Sequence, residues 1–162
     1  MKPDDVFYMR LALAAASEAA DRDEVPVGAV VISDGTVVGR GFNRREESQN
    51  PLGHAEIFAI EQASRHFRSW RLSHCTLYVT LEPCIMCVGA LLQARLGRLV
   101  YGCLDSKAGA VESLYRLCED ARLNHQLPVT GGVLADEASA MLALFFQRLR
   151  ERKRRSSPVA GA

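Results

Sequence analysis

No stretch of this 162-residue sequence is both long and apolar enough to span a bilayer, and the opening "MKPDDVFYMR" lacks the apolar run of a secretory leader. The chain therefore reads as cytoplasmic, with no membrane attachment. Five cysteines is an odd count, and a reducing compartment disfavours disulfides, so a disulfide framework is excluded as the basis of the fold. Internal repeats and mid-chain linkers are also missing. One domain is expected over residues 1–150, with a basic, flexible tail at 151–162.

What is present suffices for one core: 48% of the residues are hydrophobic and 24% charged. Net charge is only +1, yet it is unevenly spread. Residues 148–162 carry six basic groups and one acidic, leaving 14 basic and 18 acidic groups in the rest. A basic end on an acidic body points to a polyanionic partner, and equally to a solvated helix end.

Asp4 or Asp5 is placed to cap a first helix running to about Ala20. "VPVGAVVISDGTVVGRG" reads as two strands joined by an Asp34-Gly35 turn. A polar loop, "NRREESQNPLG", precedes the helical spacing of "HAEIFAIEQA". "CTLYVTL" is strand, "CIMCVGALLQA" helix, "RLVYG" strand and "LPVTGGVL" a last strand, before Asp136 caps a final helix. This order gives an α/β fold, with helices on both faces of a five-stranded sheet.

The chemistry concentrates in "TLEPCIMCVGA" and "GHAEIF". Pro83 suits the first turn of a helix, which would turn Cys84 and Cys87 the same way, and a helix N-terminus favours the thiolate. A redox pair is the alternative, although the thioredoxin-like pattern places its CxxC earlier in the chain. His54 opens another helix, with Glu56 two residues on. Alone, His54 reads as a cap and Glu56 as a first-turn acid that favours the helix dipole. Together with Pro-Cys-x-x-Cys, they form the pattern of zinc-dependent nucleobase deaminases.

One imidazole and two thiolates suit zinc, and three protein ligands leave one tetrahedral position open, as in catalytic sites. Cys75, Cys103, Cys118, His66, His74 and His125 form no second ligand-spaced pair. The cysteines read as buried small hydrophobes and the histidines as surface or loop residues. Zinc with an open position lowers the pKa of bound water to about 7, and Glu56 is then the candidate proton shuttle.

With these residues in view, the chain resembles the bacterial tRNA adenosine deaminases of the cytidine deaminase-like superfamily. The resemblance runs from about Met9 to Arg150 through "EVPVGAVV", "GFNR", "GHAEIFAI", "TLYVTLEPCIMCVGA", "LVYG", "DSKAGA", "LNH", "GGVLADE" and "FFQRLR". It implies a three-layer α/β/α fold with a five-stranded mixed sheet, a homodimer, and conversion of the wobble adenosine of a tRNA anticodon to inosine. It also implies one zinc per subunit on His54, Cys84 and Cys87, with Glu56 as proton donor. Asn43 and the Ala55 backbone amide would meet the target base, Asp105 and Lys107 the flanking nucleotides. Phe146 would help close the groove for the anticodon stem-loop, although "LALFFQRL" alone reads as core. Gly53, Ala108 and Glu112 depart from residues common in the family.

Two other functions compete. A deaminase of free cytosine, cytidine or guanine would share the zinc chemistry, but the flanking blocks and basic end argue against it. A non-catalytic zinc-stabilised RNA-binding module would leave Glu56 and the open position unexplained.

Overall fold

The first helix, α1 (Asp5–Asp21), is built from "DVFYMRLALAAASEAAD", rich in strong helix formers. Met9, Ala12, Ala15, Ala16 and Ala19 are fully buried along it, and their small size brings the helix close to the sheet. A Cβ on Gly28 would lie 2.2 Å from the Ala12 carbonyl oxygen, so glycine is required where strand meets helix. The computed structural model describes residue 2 and residues 4–156.

Strands β1 (Gly28–Ser33) and β2 (Thr36–Phe42) form the expected hairpin. Asp34 and Gly35 both have positive φ, 47° and 76°, as a two-residue turn matching strand twist requires. After α2 (Arg45–Ser48) and α3 (Ala55–Phe67), the chain enters β3 (Thr76–Leu81), α4 (Ile85–Gln93) and β4 (Arg98–Cys103). A two-residue β5 (Val129–Thr130) and the long α5 (Ala135–Ser156) complete the order. The sheet order is β2-β1-β3-β4-β5, antiparallel from β2 to β3 and parallel from β3 to β5. This is the expected five-stranded mixed sheet.

Strand alternation divides the core in two. Ala29, Val31, Leu77 and Val79 pack with Ala55, Ala59 and Ala63 of α3 and with Val88 and Leu91 of α4. Val30, Ile32, Tyr78 and Val100 face the other way, onto Met9 and Ala12 of α1. Helices cover both faces. The start of α1 is pinned to the sheet by Asp5, which is fully buried and bridges Arg98 at 2.7 Å while accepting the Tyr78 hydroxyl at 3.0 Å.

Several local expectations change. Asp4 occupies the N-cap position of α1, but its side chain makes no capping bond, and Asp5 is spent on Arg98. Pro83 stands before the N-cap of α4 rather than in its first turn, because Cys84 takes the N-cap. Asp136 lies inside the first turn of α5. The loop 43–53 contains α2, where Glu46 and Glu47 donate their backbone N–H groups to the buried Glu24 carboxylate. Residues 151–156 continue α5, so the helix outruns the boundary expected at residue 150, and 157–162 lie outside the described residues.

Candidate active site

Two helix starts converge at the carboxyl edge of the parallel strands, where α/β folds place their sites. His54 is the N-cap of α3 and Cys84 the N-cap of α4, both with extended backbone, and Cys87 follows within the first turn of α4. His54 Nδ1 lies 3.7 Å from Cys84 Sγ and 3.5 Å from Cys87 Sγ. All three donor atoms lie within 4.8 Å of one another. Tetrahedral zinc with ordinary bond lengths separates nitrogen and sulfur ligands by about 3.6 Å. Both nitrogen–sulfur separations match such an ion. Among the described residues, no fourth His, Cys, Asp or Glu joins them, which leaves one position for a non-protein ligand.

The electrostatics follow from this crowding. Cys84 is held far below an ordinary thiol, at about 3, chiefly by the hydrogen bond from Cys87 and also by His54. Cys87 is pushed up by that same bond and by burial. The hydrogen bond to Cys84 raises His54. Glu56 is raised by burial, at 3% exposure, in the first turn of α3. It is not part of the ligand cluster. A buried carboxyl beside a ligand cluster, with its protonated form favoured, is equipped for proton transfer.

Beside the three donors opens a cavity of about 200 Å³, lined by Val25, Asn43, Ala55, Glu56, Asp105 and Ala108 among others. That is below the ~300–1,000 Å³ common for drug-sized ligands, so it suits one base while the rest of a nucleotide stays outside. Asn43 is largely engaged. Its Nδ2 donates to the Val25 carbonyl at 3.2 Å and to Glu24 at 3.4 Å, while Oδ1 accepts the Arg45 N–H at 3.3 Å. What remains is one lone pair on Oδ1. Ala55 is the first residue of α3, so its N–H has no partner within the helix.

Of the expected contact residues, Asn43, Ala55 and Asp105 line this cavity, whereas Lys107 and Phe146 do not. Lys107 is exposed beyond Asp105, whose carboxylate accepts the Lys107 and Ala108 N–H groups at 3.0 and 3.2 Å. Phe146 is 40% exposed on α5, with Phe145 turned inward against it, so the core reading of that aromatic fails. The spare cysteines are buried, as expected, while His66 and His74 are exposed and His125 meets the Leu96 carbonyl at 2.8 Å. Glu112, one of the family departures, accepts the Tyr101 hydroxyl.

Sequence reasoning missed two buried carboxylates. Glu24 holds the Asn43 amide and the start of α2. Glu82, beside the ligand turn, gathers backbone N–H groups from the loop after β4. The available signal was an acidic residue bordering an apolar strand, in "DEVPVG" and in "TLEPC".

Comparison with known proteins agrees with this geometry. A family model described as MafB19-like deaminase matches residues 3–153. A tRNA-specific adenosine deaminase of Streptococcus pyogenes serotype M18 is 42% identical over 153 residues, covering 94% of this chain and 96% of its own. One from Haemophilus influenzae is 46% identical over 151 residues, covering 93% and 87%. A solved structure from studies of A-to-I editing by tRNA:A34 deaminases at the wobble position superposes with a TM-score of 0.81 at 43% identity. It covers 84% of this chain and 99% of that one.

Proposed function

The chain belongs to the tRNA-specific adenosine deaminases, and from that premise we propose that it hydrolyses the wobble adenosine of a tRNA anticodon to inosine at the His54–Cys84–Cys87 centre. The observation that carries the reading is the three-donor cluster beside a base-sized cavity that buried Glu56 also lines.

His54, Cys84 and Cys87 would hold one zinc ion per chain. Zinc bound there supplies a Lewis acid that brings a water molecule's pKa to about 7, making a nucleophile available at neutral pH. Glu56 takes the proton released by that water and delivers it to N1 of the purine as oxygen bonds to C6. It would then take the remaining proton of the new C6 hydroxyl and pass it to the exocyclic nitrogen as the C6–N6 bond breaks and the C6 carbonyl forms, so that ammonia leaves. Burial around Glu56 favours the protonated carboxyl that the second transfer needs. The free lone pair of Asn43 Oδ1 accepts a donor on the incoming nucleoside, and the Ala55 N–H donates to an acceptor on the base.

The substrate suits this site physically. An anticodon base lies in a loop, so extruding it into the cavity costs less than opening a pair. Asp105 and Lys107 lie where flanking nucleotides would rest, with Phe146 and the basic end of α5 further along the RNA. Leu52, Ile85 and Leu104 are each more than half exposed and lie within two residues of His54, Cys84 and Asp105, which supports a homodimer that covers this rim. No helix among the described residues is long and apolar enough to cross a membrane. A cytoplasmic enzyme fits the substrate.

Incubation of the purified protein with a tRNA pool, followed by sequencing for adenosine-to-inosine changes, tests the reading. Inosine confined to wobble positions is expected. Unchanged tRNA, with ammonia released from a free base instead, would overturn it.

A further inference from the structure

We propose that Glu82 is a positioning residue: it fixes the Asp105–Ser113 loop against the metal-binding turn and thereby sets how tightly the enzyme holds the nucleotides around its target. The inference rests on the tRNA reading above and assigns a role to a buried group that the chemistry itself does not use.

Glu82 lies between the end of β3 and Pro83-Cys84, and is 2% exposed. Its Oε1 accepts the backbone N–H groups of Val111, Glu112 and Ser113 at 3.1, 2.7 and 2.9 Å. Its Oε2 accepts the Asp105 N–H at 3.0 Å and the Ser113 hydroxyl. A carboxylate offers about four lone-pair sites, so these five donors saturate it. No neutral side chain of that size presents so many acceptors.

The loop is folded around this group. A Cβ on Gly109 would lie 2.2 Å from Glu82 Oε2, so the backbone passes directly over the carboxylate. The Ala110 N–H also donates to the Pro83 carbonyl at 2.9 Å, and Gly109 bridges to Cys84 itself. Asp105 then organises the next residues, taking the N–H groups of Lys107 and Ala108. Asp105 and Ala108 line the cavity together with Asn43, which Glu24 holds. Through Asp105, one carboxylate ties the substrate-facing loop to the turn that presents Cys84. Loss of its charge would leave the metal ligands in place and loosen the wall against which the RNA rests.

The test compares wild type, E82Q, S113A, D105A and the E82Q/D105A double variant on an adenosine-containing anticodon stem-loop. Zinc content, amide hydrogen exchange and RNA affinity by fluorescence anisotropy accompany the kinetics. E82Q is expected to keep its zinc, to exchange faster at residues 105 and 111–113, and to raise KM about tenfold with kcat nearly unchanged, as lost uniform binding requires. S113A should shift KM the same way by less. D105A and the double variant should share one KM, because the two residues act in series. A wild-type KM in E82Q, a fall in kcat alone, or additive effects in the double variant would overturn the proposal. If E82Q does not fold, S113A decides through the same KM-against-kcat split, and a wild-type S113A overturns it. Should the wild type fail on the stem-loop, the parent reading falls, while exchange and anisotropy still decide whether Glu82 holds the loop.

Discussion

Cys87 Sγ lies 3.5 Å from His54 Nδ1, although 33 residues separate them in the chain. Neither helix start could arrange this alone. Two N-termini must meet at one sheet edge, and the parallel pairing of β3 with β4 brings the second of them there.

That distance leads us to predict one zinc per chain. Elemental analysis of the purified protein is expected to find it, and C87A should lose the metal and part of the folding stability, since metal affinity couples to folding. A folded, fully active, metal-free chain would contradict the site.

Glu56 lies beside the three-donor cluster without belonging to it. E56A should keep its zinc and its thermal stability while turnover falls by about 10²–10⁴-fold, the usual worth of a positioned proton-transfer group. Loss of zinc in this variant would show that Glu56 is a ligand or a structural prop.

Asp5 makes a pH prediction outside the site. The Arg98 guanidinium lowers its carboxyl from 3.8 to about 2. A depressed carboxylate contributes stability that is present above the unfolded value and disappears as pH falls through the folded one. For this fully buried group the contribution is about 2 kcal/mol at neutral pH. Denaturant titrations should show D5N less stable than wild type at pH 7, by that amount or more because Arg98 is left unpaired, with the gap closing from about pH 4 toward pH 2. A gap unchanged at low pH would contradict the linkage.

Arg148, Arg154 and Arg155 are in no ion pair among the described residues, whereas Arg152 is paired with Asp23 at 2.7 Å. Replacing the three unpaired arginines by Gln should weaken tRNA binding and flatten its salt dependence by about one log–log unit per lost phosphate contact. Affinity unchanged across salt concentrations would make the end of α5 a solvated helix face.

The cluster of His54, Cys84 and Cys87 was legible because its signals are local: His-x-Glu and Pro-Cys-x-x-Cys each span one helix start. The hairpin was equally legible, since Asp34-Gly35 is the turn chemistry that positive φ demands. Glu24 and Glu82 were not legible, because each works by accepting backbone groups some 20 to 30 residues away, and backbone N–H groups leave no mark on residue type. Phe146 was ambiguous for a related reason. Adjacent aromatics on a helix look alike until packing turns Phe145 in and Phe146 out. The long "LPVTGGVL" run yields only a two-residue β5, and positive φ at Gly132 (82°) and Leu134 (54°) takes the chain out of the extended conformation.

This site is expected to deaminate a purine presented by an RNA loop. Stem-loops carrying adenosine or cytidine at the wobble position, alongside free adenosine, cytidine, cytosine and guanine, test it by ammonia release and base identity. The account predicts inosine from the adenosine stem-loop, little reaction with free adenosine, which forfeits the binding energy of flanking contacts, and none with the cytidine loop. Rapid turnover of a free base or nucleoside, with both stem-loops untouched, would contradict it.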